Sequence, residues 1–397
     1  MRRAVTGAGD TDSWGTSRRS RLFPGPFLVH ADLHNHTRLS DGSGDPRRAF
    51  ASLRSSGLDV AALTDHSRWA SLFLGLVHAP GWTGIDQRAW ALTADLADAA
   101  NSDGEFVALR GFEWSTANHG HMNVWGTARF TDPLRTLSTM ARFWHWLEVD
   151  GRDGLVGFNH PGTGRQRFGH FRVHPALGGR LVSLEVFNRE HDYLFKGVDK
   201  GRPSPIVQCL EAGWRPGLLG VTDEHGADWG RPLGKGRAGL YVRELSRSGV
   251  AEAMAARRFF ASKARGLRLD AAMIGEGGAR ARMGTSLPQP GGTVRVELDL
   301  DLGQAAWGRA MHVQVLRPDP AGGALPRVAH ERKVTLPTPD EPVLAFDAEL
   351  GGDGGWALLR VCDPEQPADP RAPADYAAFG GAVAYASPFW LDRAADD

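Results

Sequence analysis

Residues 23–266 predict an α/β domain on parallel strands, and residues 267–397 predict an appended antiparallel β-rich domain. Three observations carry this. In the first part, short apolar runs alternate with helical patterns, the rhythm of a parallel sheet. Each run ends in a cluster of His, Asp, Glu or Asn, and the C-terminal strand ends of such folds form one functional face. From about residue 267 the helical pattern gives way to alternating β runs separated by Gly, Pro and Asp.

The first strand is the apolar run at 27–29, followed by Asp32-Leu-His-Asn-His-Thr-Arg-Leu-Ser-Asp-Gly. Side chains alternate faces along an extended chain, so His34 and His36 point the same way and Asn35 points away. Two imidazoles so placed can bind one divalent metal ion. Asp41 follows in a Gly-bearing loop that can fold its carboxylate back over them. Pro46 opens a helix that ends at Gly57, with Pro early and Gly late. A second strand, 58–64, ends in Asp65-His66. Residues 67–84 read as an irregular insertion over the site, and an Ala-rich helix spans 85–101.

A third strand, 106–112, ends in Glu113-Trp114-Ser115-Thr116, and a His-rich turn with His119 and His121 leads into another strand. Residues 133–150 predict a helix with the apolar face Leu134, Leu137, Met140, Phe143, Trp144 and Leu147. The strand 155–159 ends in His160-Pro161-Gly162, and 181–187 ends in Asn188-Arg189-Glu190-His191. The strand 218–222 ends in Asp223-Glu224-His225, repeating the same-face spacing of His34 and His36. The run 239–242 is the last strand and 250–258 the last helix. The later runs 293–300, 311–315, 342–346 and 356–361 alternate with period two, the pattern of a small sandwich. A packing or oligomerisation module is the expected role there.

At 397 residues the chain is long for one domain, and 42% hydrophobic residues suffice for a real core. Lys plus Arg equals Asp plus Glu, at 46 each, without the basic excess of a nucleic-acid binder. The two cysteines, Cys209 and Cys362, stand far apart in apolar contexts and predict buried thiols. No apolar run approaches the roughly 18 residues of a membrane span. Residues 1–22 lack the apolar core of a secretory signal and read as a disordered tail, so a cytoplasmic protein is the default.

Taken together, His34, His36, Asp41, His66, Glu113, His121, His160, Asp223 and His225 should converge. Singly each has a bland reading, as a cap, a turn residue or a solvated strand end. Their recurrence at successive strand ends points to a metal site.

The motifs Asp-Leu-His34-Asn-His36-Thr, Asp41-Gly, Thr-Asp-His66, Glu113, His160-Pro and Asp223-x-His225 resemble the PHP (polymerase and histidinol phosphatase) superfamily over about residues 27–265. The stretches around Glu113 and His121, with the tail Ala-Ser-Pro-Phe-Trp, look like its stand-alone CehA/McbA-like metallohydrolase branch. The resemblance implies a distorted, TIM-like (βα)7 barrel, to which the alternating runs from residue 267 add a C-terminal antiparallel β-sandwich-like domain. It also implies two to three divalent ions, zinc, manganese or iron. By the same resemblance, His34, His36, Glu113 and Asp223 hold the first ion. Glu113, His121 and His160 hold the second, with His119 the alternative to His121. Asp41, His66 and His225 hold the third, and Asp65 steadies a ligand imidazole from behind.

The implied activity is hydrolysis of a phosphate monoester of a small molecule by metal-activated water, with Asp41, Glu113 and Asp223 as the catalytic carboxylates. Two rivals stay open: a carbamate, ester or amide hydrolase on the same site, and a non-catalytic PHP scaffold. Arg165, Arg167, Arg189 or Arg68 can clamp an anionic substrate, solvated loop arginines being the alternative. One or two of Trp69, Trp82, Trp114, Trp125 and Trp229 can wall an aromatic pocket. The sequence names no partner protein and no oligomeric state.

Overall fold

The computed structural model describes residues 10–67, 84–162, 166–231, 233–288, 292–337, 343–351 and 354–392. Arg68, Trp69, Trp82, Arg165 and almost all of the expected insertion at 67–84 lie outside them.

The first part runs β1 (Phe27–Asp32), α1 (Pro46–Ser55), β2 (Val60–Leu63), β3 (His66–Ser67), α2 (Gln87–Ala100), β4 (Val107–Thr116) and β5 (Gly120–Trp125). It continues with α3 (Met140–Val149), β6 (Leu155–Asn159), β7 (Leu181–Asn188), β8 (His191–Asp192), α4 (Pro205–Glu211), β9 (Gly217–Val221), β10 (Arg237–Val242), α5 (Arg247–Ala255) and β11 (Phe259–Ser262). Hydrogen bonding orders the main strands β11-β10-β1-β2-β4-β5-β6-β7-β9. The pairs β1–β2, β2–β4, β6–β7 and β7–β9 are parallel, as the βα rhythm predicted.

The closed (βα)7 barrel is not what forms. β5 is antiparallel to both neighbours, and β10 is antiparallel to β1. The ring also stays open: among the described residues no ladder joins β9 to β10. Instead Gly220 lies so close to the Arg237 backbone that a Cβ there would stand 2.3 Å from the Arg237 carbonyl oxygen. Only a residue without a side chain allows that approach.

Local chemistry explains the element ends. Asp45 caps α1, its side chain accepting from the Arg47 amide, and Pro46 follows directly. Thr139 likewise caps α3. The helix expected from 133 therefore starts at Met140. Leu137 and Ser138 adopt left-handed φ values of 48° and 53°, which no helix accommodates. Leu134 and Leu137, assigned to a buried face, are exposed, while Met140, Phe143, Trp144 and Leu147 are buried. Phe143 stacks on Trp114 with ring centres 4.3 Å apart, fixing α3 against β4.

The later strands are β12 (Arg268–Ile274), β13 (Arg280–Arg282), β14 (Ser286–Pro288), β15 (Thr293–Asp301), β16 (Ala310–Arg317), β17 (Arg327–Thr335), β18 (Leu344–Glu349), β19 (Gly355–Asp363), β20 (Gly381–Ala386) and β21 (Phe389–Asp392). One sheet has the order β13-β12-β15-β18. β17-β16-β19-β20 pairs onward to β11, so these strands extend the sheet of the first part. Leu269, Val296 and Leu298 of the first sheet share a core with Val313, Leu359 and Val361 of the second. β15 shows the alternation directly, with Val294, Val296 and Leu298 buried and Thr293 and Arg295 exposed.

The expectation of a disordered tail fails for residues 10–22. Arg18 is buried and forms a two-pronged pair with Asp59, at 2.7 and 2.8 Å. Asp12 accepts from the Trp14 and Thr16 amides and meets His30 Nε2 at 2.9 Å. The Arg21 amide donates to Asp299, and Ser17 accepts from the buried Arg268. Composition marked the segment as polar and did not reveal that its charges have buried partners elsewhere in the chain.

Candidate metal centre

Every strand-end cluster of the first part reaches one cavity of about 230 Å³. His34 and His36 leave β1 on the same side, their Nε2 atoms 3.0 Å apart. Asn35 turns away and donates to the Asp32 and Ala62 carbonyls. Asp223 Oδ1 lies 3.4 Å from His34 Nε2 and 3.3 Å from His36 Nε2. The two loops are tied by the His36 amide donating to the Glu224 carbonyl and the Ser43 amide donating to the His225 carbonyl.

Glu113 stands at the centre. β4 runs past the expected strand end to Thr116, so this carboxylate projects from mid-strand and is fully buried. Its oxygens lie 2.7 Å from His66 Nδ1 and 3.3 Å from both His121 Nδ1 and His160 Nε2. They lie 3.4 Å from His34 Nε2 and 3.5 Å from His36 Nε2. On the outer side, Asp41 Oδ2 is 3.5 Å from His66 Nε2 and 3.3 Å from His225 Nε2. Four overlapping groups of converging ligand atoms result: His36-Asp41-His66-His225, His34-His36-Asp223, His34-Glu113-His160 and His66-Glu113-His121.

The electrostatics are those of a buried lattice of opposite charges. Burial works against His34, but Asp223, Glu185 and Glu113 overcome it and hold the imidazole well above its ordinary value. Burial and the neighbouring His66 push His36 down to about 3. Burial also opposes His66, yet Glu113 and Asp41 raise it to about 10. Burial disfavours ionised Glu113, Asp223 and Asp41, and the surrounding imidazoles nevertheless hold all three far below the usual carboxylate range.

These residues fit divalent cations. Glu113 Oε2, His121 Nδ1 and Asp223 Oδ1 are buried without a hydrogen-bond partner, and each faces the cavity. Orphaned buried acceptors are costly unless something positive meets them. In tetrahedral coordination with bonds of about 2.0–2.1 Å, neighbouring ligand atoms lie roughly 3.3 Å apart, close to the spacings here. The mixed nitrogen and oxygen set without thiolate suits zinc, manganese or iron.

A supporting layer holds these groups, and sequence reasoning missed most of it. Glu185, mid-strand in β7, meets His34 Nδ1 at 2.7 Å and accepts from the His160 amide at 2.7 Å and from Asn188 at 2.9 Å. Asn159 donates to Glu113 Oε1 at 2.6 Å. The one available signal for Glu185 was an acid inside an otherwise apolar strand, since buried carboxylates need partners. Asp65, expected to hold an imidazole directly, instead accepts from the Thr37 amide and the Thr37 and Ser40 hydroxyls. It steadies the His36–Asp41 loop, and burial raises its own pKa to about 6.

The remaining candidates separate clearly. Arg189 lines the cavity, with Nη2 3.0 Å from His225 Nδ1 and Nε 3.5 Å from Asp223. Arg167 does not: its guanidinium covers Gly120 and Gly162 outside the lining. His119 meets the Gln166 carbonyl and joins no ligand group, whereas His121 faces Glu113. Trp114, Trp125 and Trp229 are buried structural rings, Trp125 donating to the Leu33 carbonyl and Trp229 to the His36 carbonyl. Among the described residues no tryptophan lines the cavity. Cys209 and Cys362 are free and buried. Among the described residues no helix is long and apolar enough to cross a membrane.

No protein-family model matches the chain, and no curated protein matches it. Among solved structures it is similar to a Bacteroides vulgatus "two-domain protein containing predicted PHP-like metal-dependent phosphoesterase". The identity is 17% and the TM-score 0.47, covering 94% of this chain and all of the other. It is also similar to a putative metal-dependent phosphoesterase from Bifidobacterium adolescentis, at 14% identity and TM-score 0.30, over 56% of this chain and 95% of that one. An amidohydrolase from Chromobacterium violaceum with bound sulfate and no metal matches at 14% identity and TM-score 0.30, over 49% and 87%.

Proposed function

We propose that this chain is a metal-dependent hydrolase of the PHP superfamily, acting as a phosphoesterase on a small-molecule phosphate monoester. One observation carries the reading. The buried Glu113 carboxylate lies within 3.5 Å of five imidazoles and keeps an oxygen without a hydrogen bond.

His34, His36, Glu113 and Asp223 would hold one ion, Glu113, His121 and His160 a second, and Asp41, His66 and His225 a third. The overlapping groups are compatible with two to three ions. Bound divalent cations supply Lewis acidity and make a water molecule acidic near neutral pH. Asp41 and Asp223 reach the cavity and would flank that water, whose proton can pass to bulk solvent. Arg189 adds a fixed positive charge at the rim, matched to an anionic substrate. A phosphate monoester, with three non-bridging oxygens, suits several cationic positions at once. In this reading residues 23–266 are the catalytic unit and 267–397 an accessory β-sandwich-like unit.

Elemental analysis of the purified protein, with a panel of phosphate monoesters, aryl esters and carbamates, tests the reading. Two to three equivalents of transition metal and phosphatase turnover are expected. Glu113→Gln should abolish turnover while the protein stays folded. Turnover of esters or carbamates alone would move the assignment to that bond. Full activity in the Glu113 variant, or no metal after reconstitution, would overturn it.

A further inference from the structure

Arg189 reaches the cavity from an unusual backbone. It sits in the two-residue turn joining β7 to β8, where Asn188 pairs with His191 and Phe187 with Asp192. Its φ is 54°, left-handed for a long side chain, which persists only where surrounding structure over-determines it. Its amide donates to the Val221 carbonyl, and its carbonyl accepts from the Gly236 amide.

The base of this turn is gripped by the C-terminal strands. Tyr385 of β20, fully buried, donates its hydroxyl to Asp192 Oδ2 at 2.9 Å and packs its ring 5.1 Å from Phe187. Arg360 of β19, also fully buried, donates to the Tyr385 hydroxyl at 3.0 Å and to Gln314 at 2.6 Å. Lys263, just past β11, donates to the Glu190 carbonyl at 2.7 Å. A buried polar network of this kind is unforgiving, because each unmet group costs its full desolvation.

We propose that Tyr385 is a positioning residue for Arg189, acting through Asp192, so that the C-terminal strands set the cationic rim of the cavity. This rests on the cavity being the reaction site.

Tyr385→Phe removes one hydroxyl and keeps the ring. Two measurements decide the matter. Hydrogen exchange should quicken at residues 188–192 in the variant, with the rest of β7 and β9 unchanged. In the metal-loaded enzyme, with the best substrate of the panel, KM should rise about five- to tenfold, the size of coupling within one hydrogen-bond network. The kcat should stay within about twofold, as for lost ground-state anchoring. In an Arg189→Ala background the same change should leave KM unmoved. Unchanged exchange at 188–192 would overturn the inference, as would a KM effect that persists without Arg189 or a fall in kcat at constant KM. If no substrate turns over, that outcome counts against the phosphoesterase reading, and hydrogen exchange alone decides this one.

Discussion

Glu185 Oε1 lies 2.7 Å from His34 Nδ1, on the ring edge opposite the Nε2 that faces Asp223. The carboxylate fixes which imidazole nitrogen is free to bind and which way the ring points. Because Glu185 also accepts from the His160 amide, one side chain orients two of the nine converging residues.

Glu185→Gln should keep the fold and weaken metal binding about 10- to 100-fold, the usual cost of losing an outer partner of a ligand. Competition against a chelator of known affinity measures it. An unchanged constant would mean that something else orients His34.

Arg18→Ala should lower unfolding stability by about 3–5 kcal/mol, the cost of leaving a buried charge such as Asp59 alone. Arg19→Ala is the control, since its pair with Asp10 is exposed on both sides. Urea unfolding of both variants makes the comparison. Equal midpoints would show that residues 10–22 do not dock in solution.

The Asp12 carboxyl answers to pH. Burial opposes its ionisation, but His30 and the amides of Thr16 and Trp14 outweigh that and place its pKa below the ordinary 3.8. A carboxyl depressed in the folded state stabilises above its unfolded pKa, and that contribution fades as pH falls through the folded value. The stability gap between wild type and Asp12→Asn should therefore be widest at pH 6 and shrink toward pH 3. A gap that widens on acidification would reverse the assignment.

Cys209 and Cys362 should resist alkylation at pH 8 in the native protein and react at once in urea. Burial pushes the Cys362 thiol up to about 11 and holds Cys209 well above its ordinary range, so little reactive thiolate exists. Counting modified thiols by mass before and after unfolding checks this.

Most of the nine clustered residues were legible because they follow an apolar run, and an apolar run that stops at a polar residue marks a strand end; His121, at the start of β5, rested on the resemblance instead. Glu113 was found by the same logic although its strand continues, because Ser115 and Thr116 look like an ending. Glu185 was hidden for the opposite reason. It sits inside an apolar run, where periodicity treats it as an interruption, and only its long-range partners His34 and Asn188 explain it. Strand direction was equally illegible. β5 and β10 read like any other buried strand, since a ladder's polarity depends on a partner distant in sequence. The late start of α3 turned on Thr139, a cap that an amphipathic pattern running through Leu134 and Leu137 outweighed.

The strap at residues 10–22 closes over partners far apart in sequence: Asp59 on one side, Asp299 on the other, the latter 278 positions from Arg21. During synthesis it emerges long before the strand that completes its seat exists. Until β12 has left the ribosome Ser17 has no Arg268 to meet, and until β15 has followed Arg21 has no Asp299. Contacts this remote in sequence form slowly, because a long loop must close before they repay its entropy. The strap thus closes in two stages, its Arg18 end able to meet Asp59 early and its Arg21 end waiting for a strand made much later.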